Sequence, residues 1–274
     1  MAYMEKRWGS HDRRYLMVDK YHSYRVMPKN PLIKEKRKPR TGRAPENQEK
    51  INLRHRTDNL TKLIMDNFKT GDWWVSFSLE EKVSVKEFKA AYGKMIDHMR
   101  YFYRKHGMDL KYIAVHENLT GRGRLHGHII IPALPGVQFA QMKKEMEQAW
   151  KLGDCHFKPY EGKCMDARRL AAYMTKEDVL TTKLNEKEKS LIEERDVKKL
   201  DTEIQELKSR RSRICPSKNL IRTKAVKKRI TKAETYRDEI KAPKGYRVVK
   251  PLSYNGYTTD GYPYQHAVFE RDDE

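Results

Sequence analysis

Three cysteines in 274 residues, Cys155, Cys164 and Cys215, are too few and too odd in number to form a disulfide framework. A reducing, cytoplasmic setting follows as the expectation. Long apolar runs are also missing: no stretch approaches the roughly 18 residues needed to span a bilayer, and residues 1–14 are polar and charged with no apolar leader core. Neither secretion nor membrane anchoring is expected. A Gly-x-x-x-x-Gly-Lys-Ser/Thr phosphate loop is absent, which leaves no sign of a fused helicase or ATPase, and there is no internal repeat. Hydrophobic residues make up only 38% against 35% charged, so the apolar material should be concentrated in one core with solvent-facing extensions.

What the chain has in excess is positive charge. Lys and Arg number 59 against 38 Asp and Glu, a formal net charge of +21 with pI near 9.7. Such a field draws polyanions, and nucleic acid is the default partner. Four Trp, 16 Tyr and 7 Phe add rings that can stack on unpaired bases or fill a core.

Residues 1–50 show no sustained periodicity and include a Pro- and Gly-interrupted run of cations at 34–43, which reads as a flexible basic arm. The pattern changes near residue 70. Trp73 to Leu79 follows the turn pair Gly71-Asp72 and reads as a strand. Ser84-Val-Lys-Glu87 is a capping box ahead of Phe88, Tyr92, Met95, Ile96, Met99, Phe102 and Tyr103 at helical spacing, with Gly107 as the stop. Strands are expected at Tyr112 to Glu117 and Leu125 to Ile131, paired as a hairpin, and then a helix from Phe139 to Trp150. A short strand at Cys155 to Lys158 and a helix capped by Asp166 complete the series. Strand, helix, strand, strand, helix, strand, helix predicts an α+β domain of ferredoxin-like type over 51–180. Residues 181–241 read as a basic helical or coiled-coil extension, and 242–274 as a tail of irregular or short-stranded structure.

His126 and His128 lie two apart in a strand, which places both imidazoles on one face, roughly 7 Å apart along the chain, where they can share an ion. Glu117 ends the neighbouring strand and is the preferred third ligand; His116 is the rival, because a one-residue slip in register exchanges the faces. Imidazoles with a carboxylate suit Mg²⁺ or Mn²⁺ acting on phosphate. Tyr173 shares a helical face with Arg169 and Lys176, which groups a possible nucleophile with cations; the competing reading is an aromatic anchor flanked by solvated charges. Arg122 and Arg124, in the loop before the His pair, and Arg168 are further candidates for phosphate contacts. Cys155, His156 and Cys164 match no zinc spacing and read as free thiols beside a histidine.

An aromatic strand at Trp73 to Leu79, His-x-His at 126 and 128, and Tyr-x-x-Lys at 173 to 176 together resemble, in order and spacing, the three motifs of the histidine-hydrophobic-histidine (HUH) rolling-circle replication initiators. The resemblance implies a metal pair at His126 and His128, with Glu117 as third ligand, Tyr173 as nucleophile and Lys176 assisting at the scissile phosphate. It further implies nicking and rejoining of single-stranded or hairpin origin DNA through a 5′-phosphotyrosine, with a host helicase and polymerase as partners. Arg169 and Glu177 occupy the positions four residues either side of Tyr173, so the likeness is to the single-tyrosine enzymes. One departure stands out: Gly127 replaces the bulky apolar residue usual between the histidines, which should weaken the packing behind the strand. Ser217-Lys-Asn-Leu220 also resembles a stretch that follows the tyrosine helix in small plasmid and phage initiators. A mobilisation relaxase or transposase shares this chemistry, and a non-catalytic single-strand binding module is the alternative of another class.

Overall fold

The computed structural model describes residues 2–23, 46–117, 125–175, 213–231, 233, 235–258 and 261–272. They fall into two compact units: one that is outer in sequence, drawn from residues 1–49 and 221–274, and an inner one of residues 50–220. Among the described residues no helix is long and apolar enough to cross a membrane.

The outer unit is an antiparallel sheet. Its strands are β1 (Ala2–Gly9), β2 (Tyr15–Ser23), β8 (Val226–Arg229), β9 (Tyr246–Val248), β10 (Tyr254–Tyr257) and β11 (Pro263–Arg271), in the order β10-β11-β2-β1-β8 with β9 alongside β11. Val18, Ala267 and Phe269 form a small core on one face, with Leu16, Ile240, Tyr246 and Val248 packed around them. Residues 2–23 therefore contain paired strands and are not a flexible arm; β11 pairs with β2, and β8 pairs with β1. The reason is non-local: β2 finds β11 through pairs such as Asp19 with His266, and β1 finds β8 through Met4 with Arg229. A window along the sequence sees neither partner.

The inner unit runs α1 (Glu46–Asn67), β3 (Trp73–Phe77), α2 (Val85–Lys105), β4 (Ile113–Glu117), β5 (His126–Ile131), α3 (Phe139–Ala149), β6 (Cys155–Pro159), α4 (Cys164–Thr175) and β7 (Arg213–Pro216). From β3 to α4 this is the order expected from the sequence. The sheet order β6-β3-β5-β4-β7, antiparallel throughout, contains the 4-1-3-2 arrangement of a ferredoxin-like α+β fold. Two elements were not anticipated. α1 precedes the sheet, and β7 extends it beside β4 from a region read as part of the helical extension; β8 lies in that region too. Within that extension, residues 181–212, 232 and 234 are outside the described residues.

α2 begins as its capping box requires. Ser84 Oγ accepts from the Glu87 amide at 3.2 Å while the Glu87 carboxylate accepts from the Ser84 amide at 2.8 Å, which satisfies two N-terminal donors reciprocally. It ends at Gly107, whose φ of +75° is the left-handed conformation that glycine adopts without strain. The stripe Phe88, Tyr92, Met95, Ile96, Met99, Phe102 and Tyr103 is buried, and with Met142 and Met146 of α3 it covers the sheet face that carries Val75, Phe77, Ala114, Ile129 and Ile131. The helix expected from Asp166 starts two residues earlier, and Asp166 instead accepts from the Glu161 amide at 3.0 Å. Ser217 and Asn219 clasp the chain after β7: Ser217 Oγ accepts from the Tyr112 amide at 3.1 Å, and Asn219 Nδ2 donates to the Leu110 carbonyl at 3.1 Å.

Asp72 fixes the entry to β3. It is 1% exposed, and its two oxygens accept from the Lys69 amide at 2.8 Å and the Ala133 amide at 2.9 Å. A buried carboxylate is tolerated when amide donors surround it in this way.

Candidate metal and nucleophile site

With one face of the inner sheet buried under α2 and α3, strand alternation sends the intervening side chains to the other face. Register decides which residues meet there. Glu117 pairs with His126 and Val115 with His128, while Ser76 lies opposite His128 from β3. His116 pairs with Gly127 and therefore points the other way. It sits edge-on to the rings of Phe88 and Tyr92, at 5.4 Å and 4.3 Å between centroids. Burial pushes its imidazole down to about 4, with Arg213 and Lys89 adding to the shift, so it is neutral at pH 7.

One ligand atom from each of Glu117, His126 and His128 lies within 4.8 Å of the other two. Glu117 Oε2 is 2.7 Å from His126 Nε2, and Oε1 is 4.0 Å from His128 Nε2; the carboxylate is 2% exposed. Bonds of about 2.0–2.2 Å to a shared ion put adjacent ligand atoms about 3 Å apart, so small adjustments suffice. Two imidazoles and one carboxylate on the strands leave further coordination positions for phosphate oxygens or water. The donor set fits a divalent ion.

His128 is held from three sides. Its Nδ1 is 2.8 Å from Ser76 Oγ, its ring stacks on Trp74 at 5.1 Å with planes 7° apart, and its Nε2 is 2.9 Å from the Tyr173 hydroxyl. With Nδ1–H donating to Ser76, Nε2 keeps a lone pair directed into the site, the tautomer a metal ligand needs. Tyr173 projects from α4 edge-on to Trp74 at 6.3 Å, and 47% of it is exposed. Partial burial, and then the Glu117 carboxylate, raise its phenol above the ordinary value near 10. A nucleophilic role requires that proton to be lost, so positive charge has to be brought beside the hydroxyl.

α4 is anchored through its other side. Ala167, Ala171, Met174 and Thr175 are buried, and Thr175 Oγ1 meets Thr57 Oγ1 of α1 at 2.7 Å. Arg168, expected as a phosphate contact, donates to Asp58 at 2.9 Å and is half-buried; Arg169 is exposed, one turn before Tyr173. Lys176, Arg122 and Arg124 lie outside the described residues. Ser76 and Trp74 were not singled out as site residues, although β3 carries them on the same face as the His pair. The exposed His156 and Lys158 of β6 share that face, opposite Ser76 and Trp74. Cys155 and Cys164 are buried free thiols.

Gly127 is explained by what lies behind it. A β-carbon there would meet Phe88 Cζ at 3.3 Å, the Val115 carbonyl oxygen at 3.5 Å and Phe77 Cδ2 at 3.6 Å. Phe88 of α2 occupies the room that a bulky residue between the histidines would take, so the strand is well supported despite the glycine.

No curated protein and no solved structure matches the chain. Residues 72–178, from the turn before β3 to just past α4, match the family described as Replication-associated protein ORF2. The matched segment holds the whole site, so over the residues that carry Glu117, His126, His128 and Tyr173 the chain is similar to replication-associated proteins of that family.

Proposed function

We propose that the protein nicks and rejoins single-stranded origin DNA through a covalent Tyr173 intermediate. The reading is carried by one observation: the Tyr173 hydroxyl lies 2.9 Å from Nε2 of His128, itself a member of the only His and carboxylate cluster suited to a metal among the described residues. A Mg²⁺ or Mn²⁺ ion held by Glu117, His126 and His128 would polarise the scissile phosphate and favour the phenolate. Tyr173 Oη forms an ester bond to phosphorus as the bond from phosphorus to the 3′-oxygen breaks. That oxygen takes up a proton in exchange for the one the phenol gives up. The products are a 5′-phosphotyrosyl enzyme and a free 3′-hydroxyl, and attack by that hydroxyl reverses the step. Ser76 and Trp74 hold His128 in place, and Arg169, Lys176, Arg122 and Arg124 are assigned to the phosphates on either side. A host polymerase extends the 3′-end and a host helicase unwinds the duplex.

Incubation with single-stranded origin DNA and Mn²⁺, followed by a denaturing gel, tests this. A covalent adduct that disappears in Tyr173→Phe and on chelation is expected. An adduct that persists in Tyr173→Phe refutes the assignment of the nucleophile, and binding with neither cleavage nor adduct identifies a non-catalytic module. A relaxase or transposase gives the same adduct and is separated from an initiator by the architecture of the DNA it prefers.

A further inference from the structure

The family match stops at residue 178 and begins at 72, so the outer sheet lies outside it. We infer that this sheet is a second nucleic-acid surface, which binds single strands with bases on its tyrosines and phosphates on its cationic edge.

Cross-strand register lays out the surface. One row runs Arg229, Met4, Tyr21, Tyr264, Gly256, and the next runs Lys227, Lys6, Asp19, His266, Tyr254. All ten lie on one face, opposite the small core of Val18, Ala267 and Phe269. Five strands at about 4.8 Å spacing span roughly 19 Å, enough for three nucleotides of an extended strand. At the β10 end the rings gather. Tyr254 is 38% exposed and lies 5.9 Å from Tyr264 and 5.3 Å from His266. Tyr264 lies directly over Gly256, where a β-carbon would come within 2.6 Å of its ring; only glycine admits the tyrosine in that pose.

At the other end β8 is an edge strand, and all four of its residues are exposed. Lys227 and Arg229 have no carboxylate within ion-pair distance among the described residues, whereas Lys228, on the other face, pairs with Glu5 at 3.2 Å. The one acid in the two rows, Asp19, is shared between Lys6 at 3.3 Å and His266 at 2.6 Å. A cationic edge beside half-exposed rings matches a phosphate backbone with unpaired bases; a duplex, whose bases are stacked inside, leaves the rings unused. Met4 is the one aliphatic residue in these two rows; the adjoining row on that face, Trp8, Met17 and Val268, is buried and bounds the surface.

The test is equilibrium binding of the full chain to a labelled oligothymidylate and to a duplex of equal length, in chelator and in a Tyr173→Phe background, so that chemistry at the other site does not enter. Lys227→Glu with Arg229→Glu is expected to weaken single-strand binding at least tenfold and to lower the slope of log affinity against log salt by about 1.4, two phosphates at roughly 0.7 each. Tyr254→Ala is expected to weaken single-strand binding about five- to hundredfold and leave duplex binding unchanged, while Tyr254→Phe retains it. Unaltered affinity and salt slope in variants with the parent thermal midpoint overturn the inference. So does an equal loss for duplex and single strand on Tyr254→Ala.

Discussion

Gly127 and Phe88 make a testable pair, because one fills the space the other vacates. At Gly127 a single added methyl meets Phe88 Cζ at 3.3 Å, so Gly127→Ala needs only a small shift, and the entropy saved in the unfolded chain, about 0.5–1 kcal/mol, offsets it. Leucine at the same position has to enter the volume of the Phe88 ring, which is 0% exposed, and overpacking of this kind costs about 1–3 kcal/mol. Phe88→Ala alone removes a fully buried ring and costs about 3–5 kcal/mol. In the double variant the leucine occupies part of the cavity, so the combined loss should fall short of the sum by about 1–3 kcal/mol. Urea unfolding followed by tryptophan fluorescence reads this out, since Trp150 lies 5.6 Å from Phe88. The slope against urea must stay constant for the comparison to hold. Mn²⁺ affinity should move in parallel, falling in Gly127→Leu and recovering in the double variant, because His126 and His128 flank the displaced residue. Additivity within about 0.5 kcal/mol refutes the claim that Phe88 stands in for the missing side chain.

Three further outcomes are expected. Ser76→Ala removes the group that fixes the His128 tautomer and should lower Mn²⁺ affinity about 10–100-fold by calorimetry with the thermal midpoint little changed; undiminished affinity removes Ser76 from the site. Asp72→Ala strips the acceptor from two amides at a buried position and should cost about 3 kcal/mol, with Asp72→Asn milder; a loss below about 1 kcal/mol in urea unfolding refutes that clasp. Burial, with Glu147 and Asp154, pushes the Cys155 thiol from 9.0 up to about 12, so native-state alkylation at pH 8 should run about a thousandfold slower than at an unshifted thiol and rise with pH up to about 12. Rapid alkylation of Cys155 in the folded protein, located by peptide mapping, refutes this.

The inner unit was legible because its signals are local. The Ser84 capping box, the α2 stripe and the alternation in β3 each act within a few residues, and the two histidines need only a period of two to share a face. Choosing Glu117 over His116 needed register, which a sequence does not contain; pairing of Glu117 with His126 settles the orientation. The departure at Gly127 was visible, but not its compensation, since Phe88 lies 39 positions earlier and reaches it only through packing of α2 on the sheet. α1 escaped notice because its charged residues are interleaved with Leu53, Leu60 and Ile64 and no strong cap announces it. The outer sheet was invisible for a different reason. β1 mixes Glu5, Lys6 and Arg7 with apolar residues, β8 is Val-Lys-Lys-Arg, and the two strands that pair lie more than 200 residues apart.

That separation carries a consequence for synthesis on the ribosome. β2 pairs with β1 at once, but β11 reaches Asp19 only when His266 has been made. At about 5–20 residues per second the intervening chain takes of the order of tens of seconds to emerge. The inner unit has all its strands once Pro216 is made and can close its core before β11 exists, while the first hairpin waits with an open edge. Chaperone capture or self-association should therefore concentrate on β1 and β2 in nascent chains, and a stop codon between β7 and β11 would leave a complete Glu117, His126 and His128 cluster attached to a permanently unfinished sheet.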